Sequence, residues 1–222
     1  MFSKIELRFS EDGSTTLYRP DLDEHYHSTH GAIQESLHVF INAGLKKLSV
    51  SEINILEVGF GSGLNAYLTL ASLPSSVRCH YHALEKYPVE VLMALKMNYP
   101  SLYPIRDGEN LFEKMHGLSW GSECLVNSHF SLLKLHSDLI TFQSSTLYDL
   151  IYFDAFGPDK QPEMWTQDIF NTLFKITAPE GVLVTYSAKG DVRRALIKAG
   201  FKVERLAGPP GKREMLRAQK IS

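Results

Sequence analysis

A glycine-rich turn between two apolar segments constrains the fold of this chain more than any other feature. Residues 54–65 read NILEVGFGSGLN, with glycine at alternate positions from 59 to 63. This pattern is typical of a buried strand that turns directly into a helix, where glycine permits a positive φ or lets a ligand approach the backbone. Ser62 is expected to cap the helix, and the unpaired N–H groups of the helix start favour a polar or anionic ligand.

The order of residues in this turn separates the known kinds of nucleotide site. Dinucleotide sites use Gly-x-Gly-x-x-Gly, and phosphate-binding loops end in Gly-Lys-Ser/Thr. This chain has Glu-x-Gly-x-Gly-x-Gly instead, which resembles motif I of class I S-adenosylmethionine (SAM) methyltransferases. The resemblance implies an acid near the methionine end of SAM and a cofactor-lining turn, formed by Glu57, Gly59, Phe60, Gly61, Gly63 and Asn65. An ordinary glycine-rich turn is the alternative.

Two further acids follow predicted strands. Glu85 ends the apolar segment 78–85, and a carboxylate at that place accepts hydrogen bonds from ribose hydroxyls in nucleotide-binding α/β folds. A solvated acid that caps the next helix is the alternative for Glu85. Asp138 follows the segment 130–135, where it would face the adenine amino group, and a surface loop acid is an equal alternative.

Composition limits the class of protein. The 222 residues are 44% hydrophobic with a formal net charge of −2, which favours one sizeable core and no global basic surface. Cys79 and Cys124 lack metal-ligand or Cys-x-x-Cys spacing, so we expect reduced thiols. The N-terminus has no long apolar segment. We therefore predict a cytoplasmic protein without a signal peptide or membrane span.

The first 48 residues predict an extension to the main fold. Residues 5–9 and 15–18 alternate apolar and polar side chains around a turn at 11–13, which is typical of a β-hairpin. A helix is expected from residue 33 to residue 45, because its apolar side chains fall on one face.

From residue 49 onward, predicted strands alternate with helices. Helices are expected at 64–71, 88–97, 162–176 and 191–199, and strands end near 58, 85, 135, 154, 186, 206 and 218. This order predicts an α/β fold with a mostly parallel sheet and an antiparallel C-terminal strand. Such a Rossmann-like sheet is the class I SAM methyltransferase arrangement, so we predict a SAM-dependent methyltransferase domain over 49–222, with 101–130 as an insertion near the site.

Asp154 is the candidate for chemistry. It ends the apolar strand 150–153, and ligands of open α/β sheets bind outside the carboxyl ends of the strands. We therefore expect Asp154 to face the methyl group of SAM, with a capping acid as the alternative. Asp159 alone beside it does not make a magnesium site, so no metal is expected.

Residues 154–165, DAFGPDKQPEMW, resemble a motif of the methyltransferase part of MnmC, the bifunctional tRNA 5-methylaminomethyl-2-thiouridine enzyme, whose stand-alone form is MnmD. Further matches are ESLHVF at 35–40, the glycine turn, and GKREML at 211–216. The resemblance covers nearly the whole chain. It departs at Ala155, where the family usually has glycine, and at Pro209–Pro210 before Gly211.

The resemblance implies a tRNA-modifying N-methyltransferase. Its reaction would convert 5-aminomethyl-(2-thio)uridine at the wobble position of tRNA to 5-methylaminomethyl-(2-thio)uridine, with SAM as cofactor and Asp154 as the catalytic residue. The flavin-dependent oxidase half of the bifunctional enzymes has no room in this chain, so no flavin is expected. A SAM-dependent methyltransferase of a small-molecule or protein amine is the alternative, and a non-catalytic binding protein is a third hypothesis.

The matched motifs also imply contacts with the substrate. The candidates are Tyr26, Ser28, Glu35, His38, Phe156, Trp165, Lys212 and Arg213. A structural histidine is the alternative for His38, helix packing for Trp165, and a solvated charged face for the lysine and arginine. If the two cations bind phosphates, tRNA affinity should fall sharply with salt.

Overall fold

Two β-sheets organise residues 5–221, the part of the chain that the computed structural model describes. The smaller sheet contains three antiparallel strands, β1 (Glu6–Phe9), β2 (Thr15–Arg19) and β3 (Glu24–His25). The hairpin predicted from the alternating pattern is therefore confirmed. The predicted extension starts at residue 1, so its first four residues lie outside the described part, as does residue 222.

The predicted N-terminal helix is present but changes from an α-helix to a π-helix along its length. It begins as α1 (Ala32–Ser36) and continues as a π-helix over Leu37–Asn42, followed by a short 3₁₀ turn at Leu45–Lys47. Val39, Phe40 and Ile41 are almost completely buried. The helix therefore packs its apolar face against the large sheet.

The larger sheet has eight strands in the order β10-β11-β9-β8-β4-β5-β7-β6. Its strands are β4 (Glu52–Val58), β5 (Arg78–Glu85), β6 (Cys124–Leu125), β7 (Phe130–His136), β8 (Tyr148–Phe153), β9 (Thr177–Thr185), β10 (Lys202–Ala207) and β11 (Glu214–Gln219). The five from β9 to β7 are parallel, whereas β11 pairs antiparallel with β9 and β10. The mostly parallel sheet with an antiparallel C-terminal strand is thus confirmed. The short antiparallel β6 at the opposite edge was not predicted.

Helices cover both faces of this sheet. They are α2 (Leu64–Ser72), α3 (Val91–Ala94), α4 (Tyr99–Leu102), α5 (Gly108–Gly117), a 3₁₀ turn (Pro162–Trp165), α6 (Gln167–Ile176) and α7 (Gly190–Ala199). The central strand β8 contributes Leu150 and Tyr152 to one core, and Ile151 and Phe153 to the other. Alternate residues of a strand point to opposite faces, so β8 is buried on both sides, as its apolar sequence predicted.

Two predicted helices differ from the structure. The helix expected over 88–97 is reduced to the four residues of α3, and the chain that follows contacts the hairpin through Asn98. The Asn98 side chain accepts from the Thr15 N–H (2.8 Å) and donates to the Gly13 carbonyl (2.9 Å). The helix expected over 162–176 is interrupted by the extended backbone of Thr166, whose side chain caps α6.

Residues 101–130, predicted as an insertion, contain a regular helix that the sequence analysis missed. This helix, α5, buries Phe112, Met115 and His116. Among residues 5–221, no helix is both long and apolar enough to cross a membrane.

Candidate active site

A cavity of about 330 Å³ lies at the carboxyl ends of the parallel strands. Its floor contains the residues that directly follow β4, β8 and β9, and its roof is the segment 24–29 of the N-terminal extension. Small-molecule sites in proteins typically have volumes of about 300–1,000 Å³. The cavity is therefore large enough for a nucleoside-sized ligand.

The glycine turn forms one wall and needs glycine for two reasons. Gly59 has φ +96° and Gly63 has φ +76°, a region that disfavours other residues. A Cβ at Gly59 would lie 2.8 Å from the Asp154 carbonyl oxygen, and one at Gly63 would lie 2.8 Å from His116 Nε2. Gly59 and Gly61 line the cavity, whereas Gly63 packs against α5.

The predicted helix cap at Ser62 is wrong. Gly63 occupies the N-cap position in a left-handed conformation, without a side-chain hydrogen bond. The Ser62 hydroxyl instead bonds to Tyr99 Oη (2.8 Å) and to His27 Nε2 (3.0 Å). Ser62 therefore links the turn to the N-terminal extension rather than to the helix it precedes.

Glu85 and Asp138 both line the cavity at the strand ends where the sequence placed them. Glu85 accepts from the Gly61 N–H (2.9 Å) and the Tyr87 N–H (2.8 Å). Asp138 pairs with Lys86 (2.8 Å) and accepts from the Ile140 N–H (3.0 Å). Both carboxylates are thus held in place at one end of the cavity.

Glu57 and Phe60 do not line the cavity. The Glu57 side chain is completely buried, and its carboxyl oxygens have no hydrogen-bond partner among the described residues. Burial and the nearby Asp154 carboxyl raise the pKa of Glu57 well above its usual value. Phe60 packs against His116 and Trp120. These two predicted cofactor contacts are therefore part of the interior beneath the site.

Asp154 lies on the floor of the cavity, where β8 ends beside β4. Its N–H donates to the Val58 carbonyl (3.1 Å), and its Oδ2 accepts from Asn65 Nδ2 (2.8 Å). Burial raises the pKa of Asp154 to about 7, and the charge of Glu35 adds to this effect. A carboxyl group that titrates near neutral pH is suited to accept a proton during catalysis.

Asn65 does not line the cavity itself. It contributes to the site through its hydrogen bond to Asp154, which fixes the orientation of the carboxyl group. Asn65, predicted to contact the cofactor, therefore lies behind the catalytic candidate.

The N-terminal extension closes the other side of the cavity with three predicted residues. The Tyr26 ring packs edge-on against Phe156, with centroids 5.2 Å apart. The Ser28 N–H donates to Glu35 Oε2 (3.1 Å), and Lys212 forms an ion pair with the other oxygen of Glu35. All five of these side chains line the cavity, although they come from four separate parts of the chain.

Three other predicted substrate contacts lie outside the cavity. His38 Nε2 donates to the Ala207 carbonyl (2.7 Å), at the side of the sheet. Trp165 is buried against Phe153 and donates from Nε1 to the Phe156 carbonyl (2.8 Å). Arg213 is not among the lining residues.

Tyr186 and His27 also line the cavity, and the sequence analysis did not select them. Tyr186 directly follows β9, so the same strand-end rule that identified Asp154 would have found it. Its hydroxyl donates to the Ala155 carbonyl (2.8 Å). Burial, with a smaller effect of the Lys212 charge, lowers the pKa of His27 to about 4. His27 is therefore neutral at physiological pH.

Within the described part of the chain, no three His, Cys, Asp or Glu side chains are grouped to hold a metal ion.

Sequence comparison relates this chain to a methyltransferase family. Residues 129–221 match the model of a family described as S-adenosyl-L-methionine-dependent methyltransferase. The chain is 33% identical over 208 residues to the tRNA 5-methylaminomethyl-2-thiouridine biosynthesis bifunctional protein MnmC of Ectopseudomonas mendocina, and 32% identical over 233 residues to that of an Azoarcus species. These alignments cover 86% and 96% of this chain, but 31% and 35% of the relatives. The chain thus spans about a third of the length of these curated relatives.

Structural comparison agrees with the sequence matches. MnmC2 from Aquifex aeolicus superposes with a TM-score of 0.79 at 29% identity, over 97% of this chain and 70% of that one. The N-methyltransferase NodS from Bradyrhizobium japonicum, with a TM-score of 0.51 at 16% identity over 82% of this chain and 92% of that one, shares the fold alone. The chain is therefore a relative of the MnmC proteins, and its fold is that of the class I SAM-dependent methyltransferases.

Proposed function

We propose that this chain methylates the primary amine of 5-aminomethyl-(2-thio)uridine at the wobble position of tRNA, with SAM as the methyl donor. The observation that carries the proposal is the position of Asp154. Its carboxyl group lies on the floor of the cavity that also contains Glu85 and Asp138. The substrate is proposed from the names of the MnmC relatives, which specify tRNA 5-methylaminomethyl-2-thiouridine biosynthesis.

The residues of the cavity are suited to SAM. Glu85 and Asp138 provide acceptors for the hydroxyl and amino groups of a nucleoside, and the turn at Gly59 and Gly61 brings backbone to the cavity wall without side chains. When bound, SAM supplies an electrophilic methyl group on a cationic sulfur. The proposed orientation places the nucleoside at the Glu85 end and the methyl group at the Asp154 end.

Asp154 has a defined task in such a reaction. The acceptor amine has a pKa near that of lysine, about 10.4, so it is protonated and has no free lone pair at neutral pH. As the substrate nitrogen loses a proton to the Asp154 carboxylate, its lone pair becomes available to form the new N–C bond while the C–S bond breaks. Asp154 passes this proton to solvent before the methyl group is transferred. The regenerated carboxylate then compensates the positive charge that develops on nitrogen.

The surroundings of Asp154 support this task. Asn65 holds one carboxyl oxygen, so the group does not have to reorient before it accepts the proton. Burial keeps the pKa of Asp154 near neutrality, which leaves a substantial fraction of the carboxylate form at pH 7. A cationic cofactor and a cationic amine beside Asp154 would both favour that form.

Methylation of a small-molecule amine remains the second candidate. It is favoured by the formal net charge of −2, which gives no global basic surface for a polyanion. It is also favoured by the ion pair of Lys212 with Glu35, because this lysine is then engaged within the cavity wall.

A labelling assay tests the proposed function. The protein is incubated with SAM that carries a labelled methyl group, and with tRNA that carries unmethylated 5-aminomethyluridine, free polyamines or a protein mixture in separate reactions. We expect label in tRNA only, at a nucleoside that co-migrates with 5-methylaminomethyl-(2-thio)uridine after digestion. Label in polyamines or proteins but not in tRNA would establish the alternative.

A further inference from the structure

An alkylammonium group of the protein itself occupies one wall of the cavity. The Lys212 Nζ forms an ion pair with Glu35. The same nitrogen lies 4.0 Å from the centroid of the Tyr186 ring. Carboxylates and the faces of aromatic rings both bind alkylammonium ions in proteins. The wall is therefore already shaped for a primary ammonium ion.

This wall does not depend on Lys212 for its position. Glu35 is held by the Ser28 N–H (3.1 Å) and its side chain is only 8% exposed. The hydroxyl of Tyr186 donates to the Ala155 carbonyl (2.8 Å), which fixes the ring. In contrast, the Lys212 side chain is 34% exposed and comes from the turn between β10 and β11. The lysine can leave while the two binding groups stay.

We propose that Glu35 and Tyr186 form an ammonium subsite that receives the aminomethyl group of the substrate as its cation, and that Lys212 fills this subsite when no substrate is present. The inference rests on the proposed function, since it assigns the acceptor amine to a place in the same cavity. A cation bound at Glu35 would share the cavity with Asp154, the group that accepts its proton.

The substrate ammonium can replace the Lys212 ammonium because the net charge beside Glu35 stays the same. A buried carboxylate that loses its partner is costly, because its desolvation is no longer compensated. Replacement of one primary ammonium by another keeps Glu35 paired throughout. A neutral substrate of the same shape would leave Glu35 unpaired if it displaced Lys212. The subsite would therefore select amines over alcohols.

A binding experiment with a simple amine tests the subsite without any methyl transfer. In Lys212→Ala, Glu35 loses its partner, and n-butylammonium chloride should raise the melting temperature of this variant along a saturable curve. The same concentrations of n-butanol should not. The double variant Lys212→Ala/Glu35→Gln should show no saturable rise. A matched control is Arg205→Ala, which removes the exposed Arg205–Glu214 ion pair of the same hairpin and should respond like the wild type.

The wild-type protein should bind n-butylammonium more weakly than Lys212→Ala does, because the amine must first displace the lysine. If Lys212→Ala does not fold, Lys212→Met keeps the apolar stem and serves in the same titration. No saturable response in the folded single variant, or an equal response in the double variant, would overturn the subsite.

Kinetics connects the subsite to the substrate. Glu35→Gln should raise the KM for tRNA that carries the aminomethyl group by about tenfold or more, the loss expected for one charge-assisted hydrogen bond. Its Kd for SAM should change little. An active wild type with an unchanged KM in Glu35→Gln would refute the subsite and leave the proposed function intact. An inactive wild type whose Lys212→Ala variant binds n-butylammonium would refute the proposed function and leave the subsite intact.

Discussion

The two ends of the cavity are built differently. At the Glu85 end, the acids are anchored by backbone N–H groups and by Lys86, and they come from neighbouring strand ends. At the Asp154 end, the groups come from the N-terminal extension, two strand ends and the C-terminal hairpin, and the charge of Glu35 acts on the Asp154 carboxyl. The first end has the features of a binding site and the second those of a site for proton transfer. The predictions below separate these two roles.

Loss of the proposed catalytic carboxylate, Asp154, should have the largest effect. Asp154→Asn keeps the size of the side chain but cannot accept the proton, so kcat should fall by about 10² to 10⁴, the range of general acid–base catalysis. The Kd for SAM, measured by calorimetry, should stay close to the wild-type value. Retention of full activity in this variant would remove Asp154 from the mechanism.

Loss of Glu85 should weaken SAM binding much more than it lowers the rate, the reverse of the pattern expected for Asp154. Glu85→Ala removes the proposed acceptor for the ribose hydroxyls and should weaken SAM binding by about tenfold to a hundredfold, as expected for hydrogen bonds to a charged group. The rate at saturating SAM should fall much less. A variant with normal SAM affinity would show that the nucleoside does not occupy the Glu85 end.

The buried Asp154 carboxyl should also reduce stability at high pH. Its folded-state pKa of about 7 lies above the ordinary value of 3.8, so between these values the folded state binds more protons than the unfolded state. Stability from this group is fully present below pH 3.8 and is lost as the pH rises through 7. Melting temperatures of the wild type should therefore fall relative to Asp154→Asn between pH 5 and pH 8. Melting temperatures that change with pH in the same way for the wild type and Asp154→Asn would contradict the raised pKa of Asp154.

Trp165 should have the smallest effect on function. Because it is buried and donates to the Phe156 carbonyl, Trp165→Phe should lower the free energy of unfolding by about 1 kcal/mol, the usual value of one hydrogen bond. Denaturant titration measures this loss. A large drop in tRNA affinity without loss of stability would instead support a contact between Trp165 and the tRNA substrate.

The Glu85 end was predictable because its residues belong to local patterns. A strand, a glycine turn and an acid at the next strand end can all be recognised from short segments. Glu57 belongs to the same motif, but β4 is buried on both faces, so the sequence did not reveal that its carboxyl is completely buried and does not line the cavity. Trp165 was uncertain for a similar reason, because the break at Thr166 ends the periodic pattern that would have placed its side chain.

The Asp154 end was predictable only in part. Asp154 follows an apolar strand, and its location was evident from that pattern. The Lys212–Glu35 ion pair joins residues that are far apart in the chain and lie on elements without a common periodicity. Only the folded chain shows that Lys212, expected to bind tRNA phosphate, is instead engaged in the cavity wall.

A crystal structure with bound S-adenosylhomocysteine tests the central claim most directly. We predict that the ribose hydroxyls will lie against Glu85 and that the sulfur will face Asp154, with room between them for a methyl group and an amine. The opposite orientation, or a sulfur atom remote from Asp154, would contradict the division of the cavity into a binding end and a catalytic end.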